Sequence, residues 1–404
     1  ETEEVAYASS YGRVLAKDIR APVDVPNENT SHMDGYAVKS TDTLEASPSK
    51  AITLRLKGEL SLGDPRRPSL TEGGVYKVPT GGIMPRGANA VVPVEEAEAK
   101  GGTVIIREPV ESGRYVHARG EDIKEGQLLY RQGDEVRAQD LDVLGTAQVY
   151  NIEVFRRPRV SVLAVGSELR NEPEELRPGL ILNTHSKVIL AMAEAAGCDV
   201  SDLGVAPDDL DAIKEGISFG LETSDMVMTV GGSSVGEADL VSQAINSLGS
   251  PGVLVHGVKL DLGRVAGCGV LKGKPVVILP GLIGSTLNAF VAFCLPLIRG
   301  MAGYREGNYF GVEAVLSDDR VFREKYADFL KVVYVKLRRR NRGFVAEPLL
   351  GEAADVGMLI RADGFFIASE ETLVVKEGEK VLINFLPGFS LPKSRLFPSL
   401  PYTG

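Results

Sequence analysis

Two kinds of residue in this chain are spaced for chemistry: a Gly/Ser loop able to hold an anion, and scattered carboxylates able to hold a cation or carry a proton. The loop comprises Gly231, Gly232, Ser233, Ser234 and Gly236, and it follows a continuous apolar run at 226–230. Glu237 and Asp239 then open an expected helix that runs to about Leu248. A buried strand, a Gly/Ser turn and a helix N-terminus together form a cradle of unpaired backbone N–H groups. The helix dipole points at that cradle, which suits phosphate or another oxyanion. Read alone, the same residues also serve to turn the chain and cap a helix.

The remaining candidates admit similar pairs of readings. Asp34 precedes Gly35 in a strong turn signal, so it either shapes the turn or presents a carboxylate to a ligand. Thr80 opens a Gly/Pro loop, where it either caps a turn or offers a hydroxyl. Glu121 and Asp122 sit on a turn between β segments. Glu168 follows the strand expected over 159–165, and Asp208 is placed as a helix N-cap. Glu168, the Ser233–Ser234 pair and the 281–286 loop all follow strand ends, where open α/β sheets bind ligands.

The elements that must position these groups fall into blocks. Residues 11–19 allow a short helix, and 50–110 carry short strands broken by Gly and Pro, an all-β module. From 153 to 300 strands and helices alternate, implying a mostly parallel three-layer sandwich, with one helix from about Ser285 to Leu297. Residues 311–385 alternate with period two, which predicts a small β-barrel or sandwich with nothing catalytic in it. At 404 residues the chain requires several domains. A net charge of −10, with no basic tract beyond Arg338–Arg340, argues against a nucleic-acid partner. Cys198, Cys268 and Cys294 lack metal or redox spacing and read as reduced core thiols. With no leader and no apolar run of membrane-spanning length expected, the reading is a cytoplasmic enzyme or binding protein.

Taken together, the stretches GRVLAKDIRAPVDVP, SHMDGYAV, PTGGIMPRGANAVVPVEE, RGEDIKEG, RPRVSVLAVGSEL, TVGGSSVGEAD and ADVGMLIRADG resemble, in order, the MoeA family of molybdopterin molybdotransferases, which includes the E domain of gephyrin. The resemblance implies an extended linker domain (1–40 and 115–152) and an inserted β domain (41–114). It further implies a MogA-like α/β/α domain (153–304) and a C-terminal β-barrel-like domain (305–404). It also implies an elongated homodimer whose active site joins the α/β domain of one subunit to N-terminal residues of the other. The family reaction inserts molybdate or tungstate into adenylylated molybdopterin and releases AMP, with Mg²⁺ assisting. By position, Asp34, Thr80, Asp122, Glu168, Asp208 and Asp239 match the family's functional residues. The cradle residues with Lys259, Arg264, Gly281 and Ser285 would hold the substrate, and Glu237 and Asp239 the metal.

The chain departs from the family in four places. The family's TGDEL is Val165-Gly166-Ser167-Glu168-Leu169, so one acid is a serine. Across 256–265 two family lysines become Gly257 and Asp261, while Arg264 retains the last cation. Strand alternation would set Lys259 on the same face as Asp261. The family's PGNPVSA loop is PGLIGST, and its leading helix has no counterpart. The lost cations support a second reading, a paralogue that binds molybdopterin or nucleotide without inserting metal. A third is a scaffold or interaction protein.

Overall fold

In the strand Arg159–Val165 every residue from Val160 onward is buried, so both of its faces are covered. Successive strand side chains point to opposite faces. Accordingly Val160 and Val162 pack with Ile189 and Phe290, whereas Leu163 and Val165 pack with Ile213, Ile217 and Ile245. Those partners lie on helices His185–Ala195 and Ile283–Met301 on one side, and Leu210–Thr223 and Leu240–Leu248 on the other. The result is the three-layer α/β/α sandwich expected from sequence. Its six strands run in the order Asp199–Ala206, Arg159–Val165, Met226–Gly231, Lys274–Leu279, Gly267–Leu271 and Gly252–His256. The first four are parallel, and Gly267–Leu271 runs antiparallel to both of its neighbours, so Gly252–His256 points the same way as the first four. The chain leaves Arg159–Val165 in one direction and returns on its other side at Met226–Gly231, which makes the crevice beyond these two strands the topological switch point.

The computed structural model describes residues 1–233, 239–305, 311–340, 343–349 and 351–388. Ser234, Gly236 and Glu237, all assigned to the cradle or its metal, lie outside the described residues. The chain forms two units, Thr2–Val154 and Phe155 onward together with Glu1. In the second unit a closed five-stranded barrel of Gly311–Leu316, Gly343–Pro348, Lys331–Arg340, Gly364–Ala368 and Lys380–Asn384 follows the sandwich. Cys198 and Cys294 are buried and Cys268 half-buried, all three as free thiols.

The first unit is built on a six-stranded sheet in the order Ala90–Pro93, Gly35–Val38, Gly74–Val78, Ile52–Glu59, Thr103–Ile106 and Ala97–Lys100. Gly35–Val38 therefore belongs to the sheet rather than to the preceding linker.

Several local expectations are corrected. Residues 11–19 are not helical: Val14 and Leu15 are buried and bridge to Glu135 and Val154, so tertiary pairing overrides local propensity. The helix N-cap is Asp209, whose Oδ1 accepts from the Ala212 N–H at 2.9 Å, and not Asp208. Helix Leu240–Leu248 starts after Asp239, which is its N-cap. The helix expected from Ser285 runs over Ile283–Met301, long and apolar enough to cross a membrane by composition, yet 67% of that stretch is buried within the protein. It contains a π turn at Phe290–Cys294 just ahead of Pro296, whose missing N–H and bulky ring a wider turn accommodates.

Candidate functional site

The strand ends at the switch point surround a cavity of about 480 Å³. Its wall includes Glu168, Asp208, Gly231, Gly232, Ser233 and Gly281, six of the residues singled out in the sequence, drawn from four different strand ends. Gly231 and Gly232 have φ of +87° and +64°, in the left-handed region that disfavours any side chain. Space forbids one as well: a Cβ on Gly231 would lie 2.5 Å from the Val165 carbonyl oxygen, and one on Gly232 2.4 Å from Val165 Cγ1. The cradle thus exists because two successive glycines let the backbone fold against the neighbouring strand. Among the described residues, the buried Ser233 Oγ has no hydrogen-bond partner. An unsatisfied buried hydroxyl on a cavity wall is costly unless something polar arrives to meet it.

Glu168 and Asp208 are both exposed on the cavity rim. Ser167 and Asp208 form a reciprocal pair: the Ser167 N–H donates to Asp208 Oδ2 and the Asp208 N–H to Ser167 Oγ, each at 2.9 Å. This pair ties two adjacent strand ends together at the position where the family pattern has an acid. No Lys or Arg lines the cavity among the described residues. A phosphate here would meet backbone amides and hydroxyls from the protein, but its charge would face two carboxylates. That donor set fits Mg²⁺, which takes one or two carboxylates and completes its shell with water and substrate phosphate oxygens.

Asn183, Thr184 and His185 also line the cavity, and none is among the residues singled out in the sequence. They form the start of helix His185–Ala195. His185 Nδ1 donates to the Gly281 carbonyl at 2.8 Å, fastening that helix start to the loop after Lys274–Leu279. An Asn-Thr pair ahead of a helical pattern is an N-cap signal, and it was the one available clue.

Other candidates lie elsewhere. Asp239 is 5% exposed; its Oδ1 accepts from the Ser242 N–H at 3.1 Å, capping the helix. Its Oδ2 lies 3.0 Å from His256 Nδ1, an ion-pair distance without hydrogen-bond alignment. Asp239 does not line the cavity, so Glu168 and Asp208 suit a cation there better. Lys259 Nζ donates to Asp328 at 2.6 Å, and Arg264 stands over the Tyr326 ring at 5.6 Å, both directed at the C-terminal barrel. The strand ends at His256, so alternation does not continue through 259–261; a single bridge joins Leu260 to Leu330 instead. Ser285 is buried in its helix.

In the first unit Asp34 and Thr80 are brought together. Gly35 pairs with Val78 across adjacent antiparallel strands, so the residues just beyond the pair meet. Asp34 Oδ1 accepts from the Thr80 N–H at 2.7 Å and from Thr80 Oγ1 at 2.8 Å. The amide bond first, and the hydroxyl after it, hold the Asp34 carboxyl below its ordinary pKa. Asp122 is exposed, with Oδ2 3.2 Å from His117 Nε2.

Residues 1–147 match a family model described as the MoeA N-terminal region (domain I and II), and residues 161–300 one described as a probable molybdopterin binding domain. A molybdopterin molybdenumtransferase 2 of Mycobacterium tuberculosis is 31% identical over 303 residues, 74% of this chain and 75% of that protein. A molybdopterin molybdenumtransferase of Nostoc sp. is 28% identical over 310 residues, 76% of this chain and 71% of its own. The crystal structure of a molybdopterin biosynthesis moea protein from Pyrococcus horikosii superposes with a TM-score of 0.83 at 32% identity, covering 96% of this chain and 95% of that one.

Proposed function

Because the chain belongs to the MoeA family of molybdopterin molybdenumtransferases, enzymes of molybdenum cofactor biosynthesis, we propose that it inserts molybdate or tungstate into adenylylated molybdopterin and releases AMP. The observation that carries this reading is the cavity at the switch point, where a glycine cradle, a buried serine hydroxyl and two carboxylates converge. The cradle amides and Ser233 bind and orient the phosphate, and the start of helix His185–Ala195 faces the same cavity. Glu168 and Asp208 would hold Mg²⁺, which would supply neutralisation of phosphate charge. Asp34, positioned by its two bonds from Thr80, and exposed Asp122 supply carboxylates for the protons exchanged in the reaction. Asp239 fixes the helix behind the cradle. We place the enzyme in the cytoplasm as a homodimer, divided into a linker domain, an inserted β domain, the α/β domain and the barrel. The Asp34–Thr80 pair of one subunit then serves the cavity of the other.

The test is AMP release when the purified chain is mixed with adenylylated molybdopterin, Mg²⁺ and molybdate or tungstate. Oxyanion-dependent AMP release, abolished by chelating Mg²⁺, is expected. Tight binding without AMP release would instead favour a non-inserting paralogue, the reading that Asp261 at a family lysine position supports. Absence of any binding would reject both.

A further inference from the structure

Two of the four histidines in the chain face each other outside the cavity. Val116–His117 pairs antiparallel with Thr30–Ser31, and the His32 N–H donates to the Tyr115 carbonyl at 2.9 Å. This short ladder locks two segments 85 residues apart in sequence and sets the His32 and His117 rings 4.9 Å apart, centroid to centroid. Glu121 comes back to the same place through the turn after the strand, where its Oε2 accepts from the Ala118 N–H at 2.8 Å. One donor atom from each of His32, His117 and Glu121 lies within 4.8 Å of the other two. Asp122 stands behind His117, 3.2 Å from its Nε2.

We propose that His32, His117 and Glu121 bind a divalent transition-metal ion of the zinc type, at a site separate from the Mg²⁺ assigned to the cavity. Two imidazoles and one carboxylate are the donors that zinc, cobalt and nickel prefer, whereas magnesium takes oxygen donors almost alone. Tetrahedral bonds of zinc length put ligand atoms about 3.4 Å apart, so the three groups need to draw in by about 1.4 Å at most. Two of the three residues are exposed and the third half-buried, so side-chain rotation alone achieves this. Asp122 then acts as the outer carboxylate that holds an imidazole in orientation. With three protein ligands the ion retains an open position for water or an anionic oxygen. His32 lies two residues before Asp34 on the same segment.

The experiment uses the full chain, stripped of metal and titrated with Co²⁺ alone, read by its visible absorption bands and by calorimetry. One saturable Co²⁺ per chain is expected, displaced by Zn²⁺ and not by millimolar Mg²⁺. His32→Ala and His117→Ala should each weaken it at least tenfold, and Glu121→Gln, which preserves size and fold, should weaken it too; Asp122→Asn should cost about ten- to a hundredfold if it orients the imidazole. Absence of a saturable Co²⁺ site overturns the proposal. So does a titration unchanged in the Glu121→Gln protein, or Mg²⁺ competing as well as Zn²⁺. Because no molybdopterin is present, the result stands apart from the transferase test: either can fail while the other holds.

Discussion

Thr80 directs both its amide and its hydroxyl at a single oxygen of Asp34, and the two bonds can be separated. Thr80→Val keeps the amide bond and deletes the hydroxyl, so the Asp34 carboxyl should rise part of the way back toward 3.8, as followed by NMR titration of its carboxyl carbon. The linkage sign follows from the direction of the shift. A carboxyl held below its ordinary pKa stabilises the fold above that range and loses the contribution as pH falls through its folded value. The stability difference between wild type and Thr80→Val should therefore be full at neutral pH and vanish in acid. Asp239 poses the complementary question of charge against cap. Asparagine caps a helix as well as aspartate, whereas alanine costs about 1 kcal/mol. Asp239→Asn should thus preserve the melting temperature and Asp239→Ala lower it. If turnover survives in the asparagine protein, Asp239 serves through the helix alone; loss of turnover with an unchanged melting point would restore it to the chemistry.

At the scale of elements, the cradle depends on what the adjacent strand leaves room for. Gly231→Ala and Gly232→Ala each force a side chain into left-handed backbone and into Val165. Each should destabilise the α/β domain by at least about 2 kcal/mol, measured by denaturant unfolding, with loss of phosphate binding. The strand–Gly-Gly–helix pattern made this loop legible in the sequence, because glycine is the residue that such left-handed backbone most favours. The alternating strands and helices of the sandwich were legible for a related reason: apolar runs of strand length fit only a sheet covered on both faces. The helix start at Asn183–His185 was not, since only the crossover brings it to the cradle. Asp208 and Asp209 were confused because adjacent aspartates carry the same capping signal, and only geometry shows which oxygen meets the Ala212 amide. The direction of Lys259 was equally invisible, since its partner Asp328 lies 69 residues further along, in the barrel.

For the molecule as a whole, the dimeric reading makes a quantitative claim. If each active site combines Asp34 of one subunit with Glu168 of the other, equal mixing of Asp34→Ala and Glu168→Ala proteins after subunit exchange rebuilds one intact site in each mixed dimer. Activity should recover to about a quarter of wild type from two inactive parents, and no recovery would confine the site to one subunit. The three thiols carry another consequence. Burial pushes the Cys198 thiol up to about 12 and raises Cys268 and Cys294 as well. Alkylating reagents attack the thiolate, so in the folded protein each sulfur reacts only when its surroundings open. Cys198 follows the helix His185–Ala195, Cys268 sits in the strand Gly267–Leu271, and Cys294 closes the π turn. The chain therefore carries three natural clocks for breathing of its α/β domain, and iodoacetamide should mark half-buried Cys268 first and fully enclosed Cys294 last.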